Sequence, residues 1–312
     1  MRRLLSRLFW RFVESRVASN GKVICDVAYL ENAAVLYAAA SSGFYSPLVD
    51  REELSGRDEA FWSQPSPCLG VDLNNAGQVA LLQGALPELV RDFDYPLSGP
   101  QDELLTSYYA GNTQFSGVDA RMLFGLLRLW RPKRIIEVGS GYSTLLMTDV
   151  VRRFLSGTTR ITAIEPFPRP FLHRLAGDGF KLLQAKVQDV DPAVFAELGP
   201  GDVLFIDSSH VAKTGSDVNH LLFEVLPRLA PGVHIHFHDI FLPFEYPKNW
   251  VMDERRSWNE QYLLRALLMY SAQTLQVTLS SAYVATYLRE LAGPIVQPGE
   301  GRGGSLWLTK VR

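Results

Sequence analysis

Arg134-Ile135-Ile136-Glu137-Val138-Gly139-Ser140-Gly141-Tyr142-Ser143-Thr144 decides how this chain is read. An apolar run ends in an acid, passes through Gly-Ser-Gly and enters a Ser/Thr-rich start to a helical pattern. That order describes a parallel strand, a tight glycine turn and a helix, the place where an α/β fold holds a nucleotide-like ligand. Glu137 discriminates between ligands. A phosphate-cradling loop gains nothing from a carboxylate there, because two anions would face each other. A ligand with a cationic end and no phosphate does gain.

Outward from this stretch the pattern is regular. Strand-like runs stand at 134–138, 160–165, 181–187, 202–207 and 232–238, and 276–284 and 304–310 read as the last two strands. Helical patterns cover 119–130, 143–155, 169–176, 193–198, 218–229 and 259–270, and Pro132 stops the first of them. Alternation of strands and helices, with near-continuous apolar strands, predicts a parallel sheet covered on both faces. Residues 1 to about 110 give a mixed signal, with helical patterns at 32–40 and 78–93 and breaks at Ser41-Ser42-Gly43 and Gln64-Pro65-Ser66-Pro67. The expected organisation is a mostly helical N-terminal region, 1–114, that covers the site or mediates assembly, followed by a ligand-binding domain, 115–312.

Ligands of an open parallel sheet bind outside the carboxyl ends of its strands, so the polar residues there are weighed one by one. Glu165 follows Glu137 by 28 residues, about one βαβ unit, and an acid at that place suits a ribose diol. Gln188-Asp189 ends the third run and could meet an adenine amino group. The fourth run closes with Ile206-Asp207-Ser208-Ser209-His210, and the fifth, after Pro231-Gly232, with His238-Asp239. With acids in register at four strand ends, residues 115–312 resemble a class I S-adenosylmethionine-dependent methyltransferase. Within that class the motifs are most similar to metal-dependent O-methyltransferases acting on sugars and other natural products.

The resemblance implies a Rossmann-like sheet of seven strands, the last one antiparallel, with helices on both faces. It implies that Gly139, Ser140, Gly141 and Ser143 approach the methionine part of the cofactor. Glu137 would stand near the ammonium group, Glu165 on the ribose and Asp189 on adenine. Asp207 and Asp239 would converge at one rim as a site for Mg2+ or another divalent cation, joined by His238. The Asp-x-x-His spacing of Asp207 and His210 is similar to the sugar-modifying branch, in which the histidine is the base. His238 departs from the family pattern, where acid–acid or acid–amide pairs are usual. His234 and His236 alternate with apolar residues and read as hydrogen-bonded core, and His173 and His220 as structural. After Asp239 the chain is rich in aromatics, and Tyr246, Trp250, Trp258 and Tyr262 are the expected acceptor pocket. Asn259 resembles a helix N-cap.

Composition sets the outer limits. The 312 residues are 47% apolar and 21% charged, as in ordinary globular proteins, and the net charge of -2 offers no footprint for nucleic acid. Cys25 and Cys68 are too few for a disulfide framework or a zinc cluster, which points to a reducing, cytoplasmic setting. Met1-Arg2-Arg3-Leu4-Leu5 begins like a signal peptide, but Arg7 and Arg11 interrupt the apolar run. Leu4, Leu5, Leu8, Phe9, Phe12 and Val13 follow helical spacing instead, an amphipathic helix for docking on protein or, alternatively, for peripheral membrane contact. A homodimer is the reasonable assembly. The expected activity is O-methylation of a small molecule or glycan. The rivals are a non-catalytic methyltransferase-like assembly subunit and a nicotinamide-dependent oxidoreductase, which would need a third glycine and a second dinucleotide half.

Overall fold

In this computed structural model residues 48–100, 105–175 and 179–312 are described, so the patterns at 1–13 and 32–40, and Cys25, lie outside them. The chain divides into two compact units, Met1–Gly56 and Arg57–Arg312. In the described part of the first, Asp50 caps the short helix Arg51–Ser55 by accepting from the amides of Glu52 and Glu53. Among the described residues no helix is long and apolar enough to cross a membrane.

The second unit is built on one sheet. Its strands are β1 (Arg134–Val138), β2 (Arg160–Ile164), β3 (Phe180–Leu183), β4 (Val203–Ile206), β5 (His234–Phe237), β6 (Leu275–Ser280) and β7 (Leu306–Lys310). They lie in the order β3-β2-β1-β4-β5-β7-β6. β1 to β5 are parallel, and β7 runs antiparallel between β5 and β6, as the resemblance implied. The strand order reverses between β1 and β4, which opens a crevice at their carboxyl ends.

Helices cover the sheet on both sides. Ile135, Val203 and Phe205 point into one layer, shared with α3 (Gly117–Trp130) and α4 (Tyr142–Phe154). Ile136, Val138, Leu204 and Ile206 point into the other, shared with Val218, Leu222 and Leu264. Buried apolar side chains on both faces are why these strands read as unbroken hydrophobic runs.

Four expected elements differ. The strand expected over 276–284 stops at Ser280, whose Oγ accepts from the Tyr283 amide and starts a helix, Ser281–Tyr287; this is an N-cap signal hidden in an apolar run. The helix expected over 78–93 is two, α1 (Asn75–Gln83) and α2 (Leu86–Val90), parted at Gly84 with Pro87 in the first turn of α2. The helix expected over 218–229 widens into a π-turn, Leu221–Val225, before a 3-10 turn, Leu226–Arg228, because Pro227 brings no amide hydrogen to a regular ladder. The third strand ends at Leu183, and Val187–Asp189 forms a 3-10 turn.

Candidate active site

Two glycines shape the turn after β1 in different ways. Gly139 has a positive φ of 79°, and a β-carbon there would lie 1.7 Å from the carbonyl oxygen of Asp207. Only glycine permits β1 and β4 to end so close together. Gly141 has extended backbone, and a β-carbon on it would meet nothing among the described residues within 4 Å. Its missing side chain leaves open space. The turn is held from the sides by bonds from the Gly139 amide to Ile164 O and from the Asp207 amide to Val138 O.

Glu137 is fully buried under this turn. Its two carboxyl oxygens accept from Ser143 Oγ at 2.7 Å and from Thr144 Oγ1 at 2.6 Å. Burial pushes its carboxyl up to about 8, against the pull of those two hydroxyls. Glu165, just past β2, accepts from the Ser140 amide at 3.1 Å and from the Phe167 amide at 2.8 Å.

A cavity of about 580 Å3 opens at the carboxyl ends of β1, β4 and β5. Gly139, Ser140, Gly141, Ser143 and Glu165 line one side, and Asp207, His210, His238 and Asp239 the other. Trp250 and Trp258 form part of its wall. Four expected residues are elsewhere. Glu137 lies behind Ser143, and Asp189 is exposed on its 3-10 turn, outside the lining. Tyr246 is buried behind the wall, accepting from the Gln261 amide at 3.0 Å, and Tyr262 donates to Glu245 at 2.7 Å on the outside.

The second side is a cluster of acids and imidazoles. His210 Nε2 lies 3.4 Å from Asp207 and 3.5 Å from Asp239, while Nδ1 lies 3.0 Å from Glu260 Oε2. His238 Nδ1 lies 3.6 Å from Asp207 and 3.4 Å from Asp239, with Nε2 3.6 Å from Asp119. His210 and Asp239 both hold left-handed backbone, φ 59° and 57°, a conformation that non-glycine residues keep at a cost.

Charge follows from this packing. Burial pulls the His210 imidazole down, but its hydrogen bonds to Asp207 and Glu260 outweigh that and carry it up to about 10. His238 is likewise raised well above the usual histidine range, its burial overcome by Asp239 and Asp207. Asp119, although buried, is held down to about 2 by His238 and by donors from Ser281 and Gly304. Four carboxyl groups thus face two imidazoles, an excess of acid that suits a cation. Asp207, His238 and Asp239 offer ligand atoms that all lie within 4.8 Å of one another, the trio anticipated from the strand ends. Two carboxylate oxygens and an imidazole nitrogen that gives up its proton are donors for a divalent ion.

Asp119 and Glu260 escaped the reading of the sequence. Asp119 accepts from Ser281 Oγ at 2.5 Å and from the amides of Gly304 and Ser305 at 2.9 Å each. It stands in the first turn of α3, where an acid needs no further explanation. Glu260 opens α5 (Glu260–Leu268), next to Asn259, which does occupy the N-cap position. The Asn259 amide group turns instead to Ala212, accepting from its N at 2.6 Å.

On the aromatic wall, the Trp258 ring lies 4.3 Å from that of His210, and the Arg256 guanidinium sits 4.0 Å from the Trp250 ring and 4.5 Å from that of Trp258. His236 is a buried residue of β5, as expected, whereas His234 at the start of the strand is half-buried. His236 stacks on Phe205 and reaches Ser305 Oγ at 2.9 Å. His234 stacks on Trp130, and burial takes it down to about 4.

A family profile described as a methyltransferase domain matches residues 136–240, which hold the glycine turn, Glu165, Asp207, His210 and Asp239. A protein of Archaeoglobus fulgidus, itself uncharacterised, is 36% identical over 159 residues, which are 50% of this chain and 71% of the relative. Among solved structures, a Podospora anserina methyltransferase with bound S-adenosylhomocysteine aligns at 18% identity and a TM-score of 0.41, over 62% of this chain and 78% of its own. The O-methyltransferase TomG of Streptomyces achromogenes, involved in tomaymycin synthesis, aligns at 18% identity and a TM-score of 0.39, over 78% and 93%.

Proposed function

We propose that this chain, which belongs to the class I S-adenosylmethionine-dependent methyltransferases, transfers the methyl group to a hydroxyl oxygen of a small molecule or a sugar. The observation that carries this reading is the meeting of His210, Asp207 and Asp239 with Trp258 in the same cavity as the glycine turn. The residues present fit the cofactor. Gly141 leaves room where a side chain would intrude, and Ser208 Oγ on the cavity wall is buried with no hydrogen-bond partner among the described residues. When bound, S-adenosylmethionine supplies an electrophilic methyl group on a sulfonium.

The chain's own residues do the rest. Glu137, through Ser143, would favour the cationic methionine end, and Glu165 would accept from the ribose hydroxyls. Trp258 and Trp250 would wall the acceptor, whose alignment supplies much of the barrier reduction. His210 Nε2 would take the hydroxyl proton as the oxygen gains the methyl group. Asp207, Asp239 and His238 would hold a divalent cation, whose charge would lower the pKa of the acceptor hydroxyl. Carboxylates engaged in that way would hold the His210 proton less strongly.

Calorimetry with S-adenosylhomocysteine tests the cofactor site. Micromolar binding by the parent and at least about tenfold weaker binding by Glu165→Ala are expected, and no binding by the parent would defeat the reading. A panel of catechols and glycosides, assayed with Mg2+ or Mn2+ and with chelator, tests the acceptor side. His210→Gln should lose about 100-fold or more in kcat, and unchanged turnover would remove His210 as the base.

A further inference from the structure

The start of α5 closes the acceptor side of the cavity through four consecutive residues. Trp258 lies against the His210 ring. The amides of Asn259 and Glu260 both donate to the His210 carbonyl oxygen, at 3.1 and 3.2 Å. Gln261 accepts from the Phe241 amide at 2.6 Å and donates to the Phe244 carbonyl at 2.9 Å. The loops that follow β4 and β5 are thereby tied to one short segment. Within it, Glu260 Oε2 meets His210 Nδ1 at 3.0 Å, and both side chains are buried.

The remaining oxygen of Glu260 argues for a role beyond packing. Oε1 is buried and has no hydrogen-bond partner among the described residues. Burial pushes this carboxyl up, and only His210 draws it back. A buried acid with half its accepting capacity unused is costly, and an amide would fill the same volume without a charge. What an amide would lack is the anionic acceptor that fixes the ring. With Nδ1 held by Glu260, Nε2 is the nitrogen left to face Asp207, Asp239 and the cavity.

We propose that Glu260 is a positioning residue for methyl transfer, acting through His210 by orienting its ring so that Nε2 meets the acceptor hydroxyl. The assignment rests on His210 being the base. Glu260→Gln and His210→Gln, alone and together, test it with the catechol or glycoside that turns over, alongside Tm and S-adenosylhomocysteine affinity. Glu260→Gln should lower kcat about 10- to 100-fold while KM for the acceptor stays within about threefold. Its Tm should stay within about 2 °C of the parent or rise, because a half-satisfied acid has been removed. In the His210→Gln background, adding Glu260→Gln should change kcat less than about twofold, since the two act as one unit. The proposal is overturned by any of four results: unchanged kcat in Glu260→Gln, a loss confined to KM, a further tenfold loss in the double variant, or a Tm drop beyond about 5 °C. Full activity of His210→Gln would instead sink the base assignment.

Discussion

On the glycine-turn side of the cavity, Glu137 finds its partners six and seven residues away, in Ser143 and Thr144. On the acid–imidazole side, His210 reaches Glu260 across 50 residues, and Asp119 reaches Gly304 and Ser305 across 185 and 186. The first side is built from segments close in the chain, β1, the helix after it and the end of β2. The second exists only when the whole sheet has closed. Local construction fits a site for a ligand that stays the same. Long-range construction ties the second side to segments far apart in the chain.

The largest expected effect separates the two glycines at the boundary between these sides. Gly139→Ala combines a left-handed backbone with overlap on the Asp207 carbonyl, and should cost about 3 kcal/mol or more and roughly 6–12 °C in Tm. Because Gly139 touches the residue that begins the acid cluster, both sides should fail together. Gly141→Ala should leave Tm within about 2 °C and weaken S-adenosylhomocysteine at least about tenfold, since its β-carbon enters open space. Normal binding by Gly141→Ala, measured by calorimetry, would remove the turn as a ligand cradle.

A smaller effect should reach one side alone. Asp119→Asn keeps the shape but turns an NH2 either toward the Gly304 amide or toward the Ser281 and Ser305 donors, at a cost of about 2–3 kcal/mol. Methyl transfer should fall with it, while S-adenosylhomocysteine affinity stays within about threefold. If affinity falls in step with activity, the two sides are not independent.

The smallest effect is a proton. With its carboxyl raised to about 8, Glu137 is neutral at pH 7 and stabilises the fold in that form; this contribution is complete below the ordinary carboxyl range near 4.3 and is lost as pH rises through about 8. A cationic ligand end above it favours the ionised form. Binding of S-adenosylhomocysteine at pH 7 should therefore release a fraction of a proton up to about one, and none at pH 9. Calorimetry in phosphate and Tris, whose ionisation enthalpies differ, reads this directly; equal enthalpies at pH 7 would exclude it.

The same contrast explains what could be read in advance. That the turn, Glu165, Asp207, His210, His238 and Asp239 line one cavity is legible in the sequence because each stands at a strand end, and strand ends follow from periodicity. Asp119 and Glu260 are not, because each sits at a helix start where an acid is ordinary and its partner is far along the chain. Tyr246 and Tyr262 stand outside the cavity, and residue type does not say which face of a loop or helix meets it. The helix at Ser281–Tyr287 was missed because Ala282, Val284 and Ala285 are as apolar as a strand, and only the Ser280 cap marks the change.

The placement of β7 carries one more consequence, about the order of events in synthesis. β5 and β6 are translated earlier, yet each takes β7 as a neighbour in the finished sheet. Until residues 306–310 leave the ribosome, both strands present an open edge, a period of exposure to mispairing that chaperones would shorten. Asp119, made far earlier, waits through the same interval for Gly304 and Ser305. The nascent chain can form its glycine turn early but not the opposite wall. The opposite wall is therefore assembled only after β7 has joined the sheet.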